Sequence, residues 1–396
     1  MATWVVVLGV YTLALLFERY GVRSSTHGGD VSVYASDAHA IVHGRLPYRD
    51  LYFEYPPGAL VPILAPEPAG DYGAAFKALM AVAGGGALVA AAAVLRAQGR
   101  ALLWPLLATA VAPLALGSVF VNRFDVWPAL LAVAALALFV RGRPAAAAVL
   151  LALGAATKVF PAVAAPVAAV WVWRVYGRDG LRRAVVAFLV AGLVVLLPFA
   201  AIGPGGLRFS FTIQLTRHLQ VESLGGAFLL AADRIGLYHA TIATGKPGSL
   251  DVFGTLPSVL AALSLVVVVV LVLWAAWALL RGPADADRLA AGFAASIVVY
   301  VAFGKVLSPQ YLVWLVPFVP LVRRRGTAAA LLLLAALVLT QVEFDHRYHE
   351  LATVGPVVWI LLARDLLLAA VAVLSLRAVR VYGGSQTAKT PVLTSR

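Results

Sequence analysis

Cysteine is absent from this 396-residue chain, and charged side chains make up only 12% of it. The lack of cysteine excludes a disulfide framework and thiolate metal ligands. Acidic residues are the scarcer sign, 18 against 31 Lys and Arg, so the net charge is +13. In a soluble protein this excess would suggest nucleic acid, but in a membrane protein it marks the loops on the cytoplasmic side. We therefore expect membrane lipids, and no nucleic acid, as partners.

Long uncharged apolar runs fill most of the chain. Residues 256–280 contain no charge. This run is longer than the roughly 20 residues needed to cross a bilayer. Residues 4–17 lack the basic start and A-x-A cleavage site of a signal peptide, so we interpret them as a retained span. The sequence therefore predicts an all-α polytopic membrane protein. The apolar runs predict twelve spans, near 4–20, 74–95, 101–120, 126–140, 145–157, 159–173, 184–202, 255–280, 289–303, 310–322, 327–342 and 353–376.

The distribution of charge orients these spans. If the N-terminus is cytoplasmic, the cytoplasmic connections and both ends of the chain hold seventeen Lys and Arg and three acids. The opposite side then has two long loops, 21–73 and 203–254, and most of the acids. We expect one transmembrane domain, 1–380, in the cytoplasmic membrane, and a disordered cytoplasmic tail, 381–396. The histidines also lie on the outer side or at its span ends, which favours an outer catalytic face.

The first outer loop contains a polar stretch, "GGDVSVYASDAHAIVHGRLPYRDLYFEYPPG", at residues 28–58. Its centre fits a short helix that ends at Gly44, and Pro56-Pro57-Gly58 must stop any helix. The carboxylates Asp30 and Asp37 in this stretch are either groups that keep a loop in water or candidates for proton transfer.

Two fragments share a pattern, Lys158-Val159-Phe160-Pro161 and Lys305-Val306-Leu307-Ser308-Pro309. In each, a lysine precedes a proline suited to the first turn of a returning helix. An ammonium group and a helix N-terminus would then face the same place and bind an anion. The alternative is that each lysine extends to the lipid headgroups.

Four other segments with charged residues leave alternatives open. Arg123 and Asp125 form either a local ion pair or a wall of a sugar pocket. Residues 210–223, "SFTIQLTRHLQVES", fit helix or strand, and we favour an amphipathic helix on the membrane surface. Arg364 and Asp365 lie inside the last span and, as neighbours on a helix, should have separate partners in a structural role. "FDHRYHE", at 344–350, offers metal ligands, but a solvated loop is the better interpretation.

Together, several motifs resemble the GT-C-fold, polyprenyl-phosphate-sugar-dependent enzymes of glycosyltransferase family 87, which include mycobacterial mannosyltransferases acting on phosphatidylinositol mannosides and lipomannan. The motifs are "GGDVSVYASDAHAIVHGRLPY" with "FEYPPG", "NRFDVWPALL", "ATKVFP", "RHLQVESL" and "GKVLSPQYLVWLVP". The resemblance implies inverting transfer at the outer leaflet, with a first-loop aspartate as the base. That aspartate matches Asp30, and Asp37 is its rival. One carboxylate suffices for inversion, whereas retention would need a second, close carboxylate.

This resemblance implies a set of candidate site residues. The residues expected to bind the donor phosphate are Lys158, Lys305, Arg217 and His218. The residues expected to bind the substrates are Tyr34, Asp37, Tyr55, Arg123, Asp125, Gln220, Glu222, Gln310 and Tyr311. No metal or other cofactor is expected.

The expected activity is transfer of mannose from a polyprenyl phosphate to a lipid-linked or polymeric glycan, with an α-linkage formed from a β-linked donor. A polyprenyl-phospho-arabinose donor is the alternative within the class. A multi-span transporter is the alternative outside it, although the polar residues lie on one face and the halves are not repeats. The composition rich in Ala, Val and Arg is typical of a high-GC bacterium such as an actinobacterium.

Overall fold

The computed structural model describes residues 1–19, 30–245 and 248–380. The predicted tail, 381–396, the last residue of the predicted first span and residues 21–29 of the predicted first loop lie outside this part. Within the described residues the structure is almost entirely helical. Its α-helices are α1 (Ala2–Arg19), α2 (Val31–Val42), α3 (Leu60–Leu64), α4 (Tyr72–Ala97), α5 (Leu103–Ala110), α6 (Ala112–Leu116), α7 (Val126–Val140), α8 (Pro144–Thr157), α9 (Ala165–Ile202), α10 (Pro204–Thr216), α11 (Leu224–Arg234), α12 (Thr255–Leu280), α13 (Ala286–Phe303), α14 (Gly326–Arg347) and α15 (Val358–Val379).

The apolar helices coincide with the predicted spans. In the described part, seven helical stretches are long and apolar enough to cross a membrane, and four more are apolar but shorter. Each predicted span falls on one of these stretches, and two predicted spans, 159–173 and 184–202, fall on the single stretch Phe160–Ile202. The protein is therefore a multi-pass helical membrane protein, as predicted.

Those two spans merge because the connection between them is itself helical. Only Gly177 departs from helical geometry inside α9, with φ 67° and ψ −167°. This left-handed φ suits glycine, so the chain changes direction at one residue and resumes a helix at once. The connection between the two predicted spans, residues 174–183, is therefore helical except at Gly177.

Helix burial separates the centre of the bundle from its edge. In α13, 78% of the most apolar 18-residue stretch is buried, and this helix packs against α15, α12 and α9. By contrast, the corresponding 18-residue stretch is 0% buried in Phe160–Ile202 and 22% buried in α12. Exposed valine and leucine side chains on these stretches can only be stable against lipid.

Prolines shape the two fragments that follow Lys158 and Lys305. Each fragment returns as a 3₁₀ helix, Phe160–Ala164 before α9 and Pro309–Leu315. Proline removes a backbone donor from the first turn, and 3₁₀ geometry is common in such short pieces. A helix therefore begins at or next to the proline of each fragment, as predicted, but its first turns have 3₁₀ geometry.

The second long loop contains a small sheet that the sequence analysis did not predict. Strand β1 (Leu219–Gln220) and strand β2 (Thr241–Thr244) both pair antiparallel with β3 (Leu250–Phe253), in the order β1-β3-β2. The favoured surface helix is correct only as far as Thr216, the end of α10. The chain then turns extended, because Leu219 and Gln220 pair with β3 instead of continuing the helix.

The first loop is held against the bundle by close backbone contacts. Helix α2 ends before Gly44, whose φ of 94° and bond to the Ile41 carbonyl close the predicted glycine cap. A Cβ atom at Gly58 would lie 2.7 Å from the carbonyl oxygen of Ala156, at the end of α8. Glycine at this position therefore lets the Pro-Pro-Gly turn approach the residue pair that precedes Lys158.

Candidate active site

Asp30 lies at the N-cap of α2, where the first loop enters its helix. Its Oδ2 atom accepts a hydrogen bond from Arg123 Nη1 at 2.8 Å and one from the Tyr34 hydroxyl, one turn along α2, at 3.2 Å. The Asp30 side chain is 31% exposed and that of Arg123 is 14% exposed. A partly exposed carboxylate is thus fixed by a nearly buried guanidinium from a loop 93 positions away.

Arg123 and Asp125 do not pair with each other in the local ion pair that the sequence analysis considered. While Arg123 contacts Asp30, the Asp125 Oδ1 atom accepts hydrogen bonds from Lys158 Nζ and Trp314 Nε1, both at 2.7 Å. The Asp125 side chain is 1% exposed. Burial of a carboxylate is tolerated here because a cation and an indole donor both bind it.

Lys158 lies in a box of aromatic rings. Its Nζ atom is 4.9 to 5.7 Å from the ring centres of Tyr55, Phe124, Tyr311 and Trp314. These distances are in the range of cation–π attraction. The lysine charge is therefore held in place by one carboxylate and four ring faces, and it does not extend to the lipid headgroups.

The 3₁₀ geometry explains how the aromatic box forms. With three residues per turn, Tyr311 and Trp314 lie on one face of Pro309–Leu315, and their rings stack with centres 4.0 Å apart. Phe160, from the other lysine fragment, stacks on Trp314 at 4.1 Å. The two fragments with the shared pattern therefore pack against each other. Sequence reasoning missed Trp314 and Phe160, because aromatic residues in apolar runs resemble ordinary span residues.

Tyr34 and Tyr55 join the two ion pairs into one cluster. The Tyr34 ring lies 5.5 Å from that of Phe124 and 6.2 Å from that of Tyr55. Burial, followed by the charge of Asp30, raises the pKa of Tyr34 well above its usual value. Burial likewise raises the pKa of Tyr55. Both phenols therefore stay protonated and can donate hydrogen bonds at neutral pH.

Lys305 has a different environment from Lys158. Its Nζ atom donates to the carbonyl oxygens of Leu215 and Arg217, at 2.7 and 2.8 Å. Burial and then the charge of Arg217 lower its pKa. Lys305, in the connection after α13, thus lies near Arg217 of the second loop, and both cations are within electrostatic range of the Asp251 carboxylate.

Arg217 also connects the second loop to the aromatic box. Its charge acts on the hydroxyl groups of Tyr300 and Tyr311, and the Tyr311 ring faces Lys158. His218 is exposed, and its ring packs on Phe253 of β3 at 4.5 Å. Of the four predicted phosphate-binding residues, Lys158, Lys305 and Arg217 therefore lie around Tyr311 or beside one another, and His218 lies at the edge.

Glu222 belongs to a buried charge cluster inside the bundle. The Arg364 guanidinium lies 3.7 Å from a Glu222 carboxylate oxygen and 3.2 Å from Glu343. It also donates to Asp365, its neighbour in sequence, at 2.9 Å. The expectation of separate partners for Arg364 and Asp365 was therefore wrong: the long Arg364 side chain folds back along α15.

Burial, followed by the charge of Glu343, raises the pKa of Glu222 well above its usual value. Gln220 Nε2 donates to Glu222 Oε2 at 3.1 Å, which connects this cluster to β1. The charge of Arg123 also acts on Glu222, so the buried cluster borders the Asp30 pair. Glu222 and Gln220 therefore lie beside the candidate site, with Glu222 buried and engaged by Arg364.

The remaining predicted residues lie around these groups. Asp37 is two turns further along α2 than Asp30, and burial, followed by the charge of Glu54, raises its pKa. Gln310 precedes Tyr311 on the 3₁₀ helix, and its buried Oε1 atom has no hydrogen-bond partner among the described residues. Arg347 pairs with Glu350 in the 344–350 segment, and the described residues contain no group of three candidate metal ligands.

The fold and this cluster define a class of protein: a polytopic membrane enzyme of the GT-C type, with acids and cations gathered where its long loops meet the bundle. The family profile described as "Glycosyltransferase family 87" matches residues 52–309. The chain belongs to glycosyltransferase family 87, as its motifs suggested. It is therefore a polyprenyl-phosphate-sugar-dependent glycosyltransferase, and the transporter alternative is not supported.

Comparison with solved structures agrees with this fold. The chain is similar to ArnT from Cupriavidus metallidurans, whose crystal structure was determined bound to undecaprenyl phosphate, with a TM-score of 0.51. The match covers 96% of this chain and 77% of ArnT at 17% sequence identity. At this identity the similarity concerns the fold. No curated protein matched the sequence.

Proposed function

We propose that the protein transfers mannose from a polyprenyl-phosphate mannose to a lipid-linked or polymeric glycan on the outer face of the cytoplasmic membrane. The observation that carries the proposal is the pairing of Asp30 with Arg123, next to the aromatic box that holds Lys158. The site lies where the first and second long loops meet, the two loops that the charge distribution assigns to the outside. The undecaprenyl phosphate bound to the similar ArnT supports a long polyprenyl chain on the donor.

Asp30 is the proposed general base. Both of its hydrogen bonds within the described residues go to Oδ2, so Oδ1 can accept a proton from the acceptor hydroxyl. Arg123 fixes the carboxylate orientation, which a base needs before proton transfer can be efficient. The hydroxyl oxygen attacks the anomeric carbon, the bond from that carbon to the phosphate oxygen breaks, and the polyprenyl phosphate departs.

The departing phosphate gains negative charge, and the nearby cations can stabilise it. Arg217 and Lys305 are like charges held close together, an arrangement that an anion between them would relieve. Lys158 supplies a third positive charge across Tyr311, although Asp125 already offsets part of it. We propose that the donor phosphate binds between Lys158 and the Arg217–Lys305 pair, with His218 at the rim.

The substrate-binding roles follow from position. Tyr34 and Tyr55 are protonated donors beside Asp30, and Asp37 lies two turns along the same helix. The Tyr311 ring faces Lys158, and Gln310 precedes it on the 3₁₀ helix. Glu222 lies within electrostatic range of Arg123 and accepts a hydrogen bond from Gln220. We assign the sugar to the Asp30 side of the aromatic box and the acceptor to the first loop.

The stereochemical outcome tests this mechanism. One base and no carboxylate nucleophile give inversion, so a β-linked donor gives an α-linked product. Purified protein would be supplied with synthetic polyprenyl-phosphate mannose and, separately, with polyprenyl-phospho-arabinose. Nuclear magnetic resonance of the product would then report its anomeric configuration. A β-linked product would overturn inversion, and transfer only from the arabinose donor would replace mannose as the sugar.

A further inference from the structure

A pocket lined by three arginines lies between the start of α14 and the end of α15, away from the active site. Arg324, Arg325 and Arg377 line it, together with the aliphatic side chains of Leu374 and Ala378, and it has a volume of about 360 Å³. All three arginines are exposed. No acidic residue is among the described residues that line this three-arginine pocket.

The helix that borders the pocket adds to its positive potential. Arg325, with φ 60°, is the N-cap of the 22-residue helix α14, which has neither a side-chain cap bond nor an acidic residue in its first turn. A helix N-terminus carries partial positive charge and favours anions. Arg324 and Arg325 are therefore placed where the helix dipole opposes them, whereas Arg377 lies favourably in the last turn of α15.

The positive-inside rule accounts for arginines at this end of the bundle, but not for their convergence in a pocket. Arg323, next to the pocket residues in sequence, pairs with Asp287 at 2.7 Å. Arg324, Arg325 and Arg377 come from the ends of two helices, and their positive charges line one open space.

We propose that the three-arginine pocket binds the phosphate group of an anionic phospholipid from the leaflet on that side of the membrane. Guanidinium groups form paired hydrogen bonds to phosphate oxygens, and the N-terminus of α14 favours the same anion. Leu374 and Ala378 belong to a membrane-spanning helix, so an acyl chain can run along the aliphatic wall while the phosphate contacts the arginines. Basic pockets between transmembrane helices are suited to such headgroups.

Lipid titration of the purified full-length protein tests the proposal. The probes are phosphatidylglycerol, phosphatidylcholine and inorganic phosphate, and binding is followed by native mass spectrometry. We expect a preference for phosphatidylglycerol that falls by about fivefold for each arginine replaced in Arg324→Gln, Arg325→Gln and Arg377→Gln, the effect of one basic side chain at an anionic lipid surface. The matched control Arg323→Gln should not change the preference, because Asp287 already engages that side chain.

Conservative variants and competition by phosphate complete the experiment. Arg324→Lys with Arg325→Lys should keep most of the binding, and glycosyl transfer by all variants should remain at the wild-type level, which shows that they are folded. Equal phosphatidylglycerol binding by the wild type and the triple Gln variant would overturn the proposal. Competition by inorganic phosphate as strong as that by phosphatidylglycerol would overturn the lipid assignment, because the aliphatic wall would then contribute nothing.

Discussion

Replacement of Asp30 by asparagine separates a catalytic carboxylate from a structural one. Asparagine keeps the size of the side chain, and its amide oxygen can still accept the hydrogen bonds from Arg123 and Tyr34. What is lost is the charge and the ability to take a proton. Because Asp30 is 31% exposed, loss of its ion pair should cost about 1 kcal/mol of stability or less.

The loss of rate should be much larger than the loss of stability. A positioned general base contributes about 10²- to 10⁴-fold to the rate, which corresponds to roughly 3 to 5 kcal/mol in the activation barrier. We therefore expect Asp30→Asn to insert, to remain folded and to bind the donor, with turnover reduced by about 10²-fold or more. The assay is initial-rate transfer from polyprenyl-phosphate mannose at saturating donor, together with thermal unfolding of the same preparations.

Asp37→Asn is the matched control, because it removes a carboxylate from the same helix two turns away. Asp37 is partly buried, its neighbour is Glu54, and no cation holds it as Arg123 holds Asp30 within the described residues. We expect a smaller loss of rate at this position. Transfer by Asp30→Asn near the wild-type rate would refute the assignment of the base, and an inactive Asp37→Asn in the same experiment would move the base to Asp37.

Three further predictions concern the two lysines, the orientation in the membrane and Gly58. Lys158→Ala and Lys305→Ala should each weaken use of the polyprenyl-phosphate donor, with partial rescue by arginine, because each removes a positive charge near the leaving group; unchanged donor kinetics at equal protein level would contradict this. Alkaline phosphatase fused after Arg380 should be inactive, and an active fusion would reverse the orientation. Gly58→Ala should lower thermal stability by about 1 to 3 kcal/mol, because its Cβ meets backbone at the end of α8; Gly70→Ala, in the same loop with nothing within 4 Å, should have no such effect.

Much of the fold followed from local sequence properties. Apolar length predicted the membrane helices, because crossing a bilayer requires about twenty apolar residues whatever surrounds them. Gly44 predicted the end of α2, because glycine adopts the positive φ found after a helix with the least steric strain. These features depend on a few neighbouring residues, so the printed sequence contains the information that determines them.

Features that depend on packing were predicted less well. The sequence predicted two separate spans where the helix α9 continues through a kink at Gly177, and a surface helix where β1 pairs with β3. Short strands have weak patterns of their own and form only when a distant partner is present. Likewise, the 3₁₀ form of Pro309–Leu315, which places Tyr311 and Trp314 on one face, is not evident from an apolar run.

The sequence by itself determined that this protein is a helical membrane protein with acids, histidines and two patterned lysines near its loops, and its motifs identified the family. Only the tertiary structure decided the partners of those charges. Asp30 meets Arg123 across 93 positions, and Asp125 meets Lys158 across 33 and Trp314 across 189. A charged side chain in a low-dielectric bundle takes the opposite charge that packing brings within about 3 Å, and sequence distance does not enter that energy.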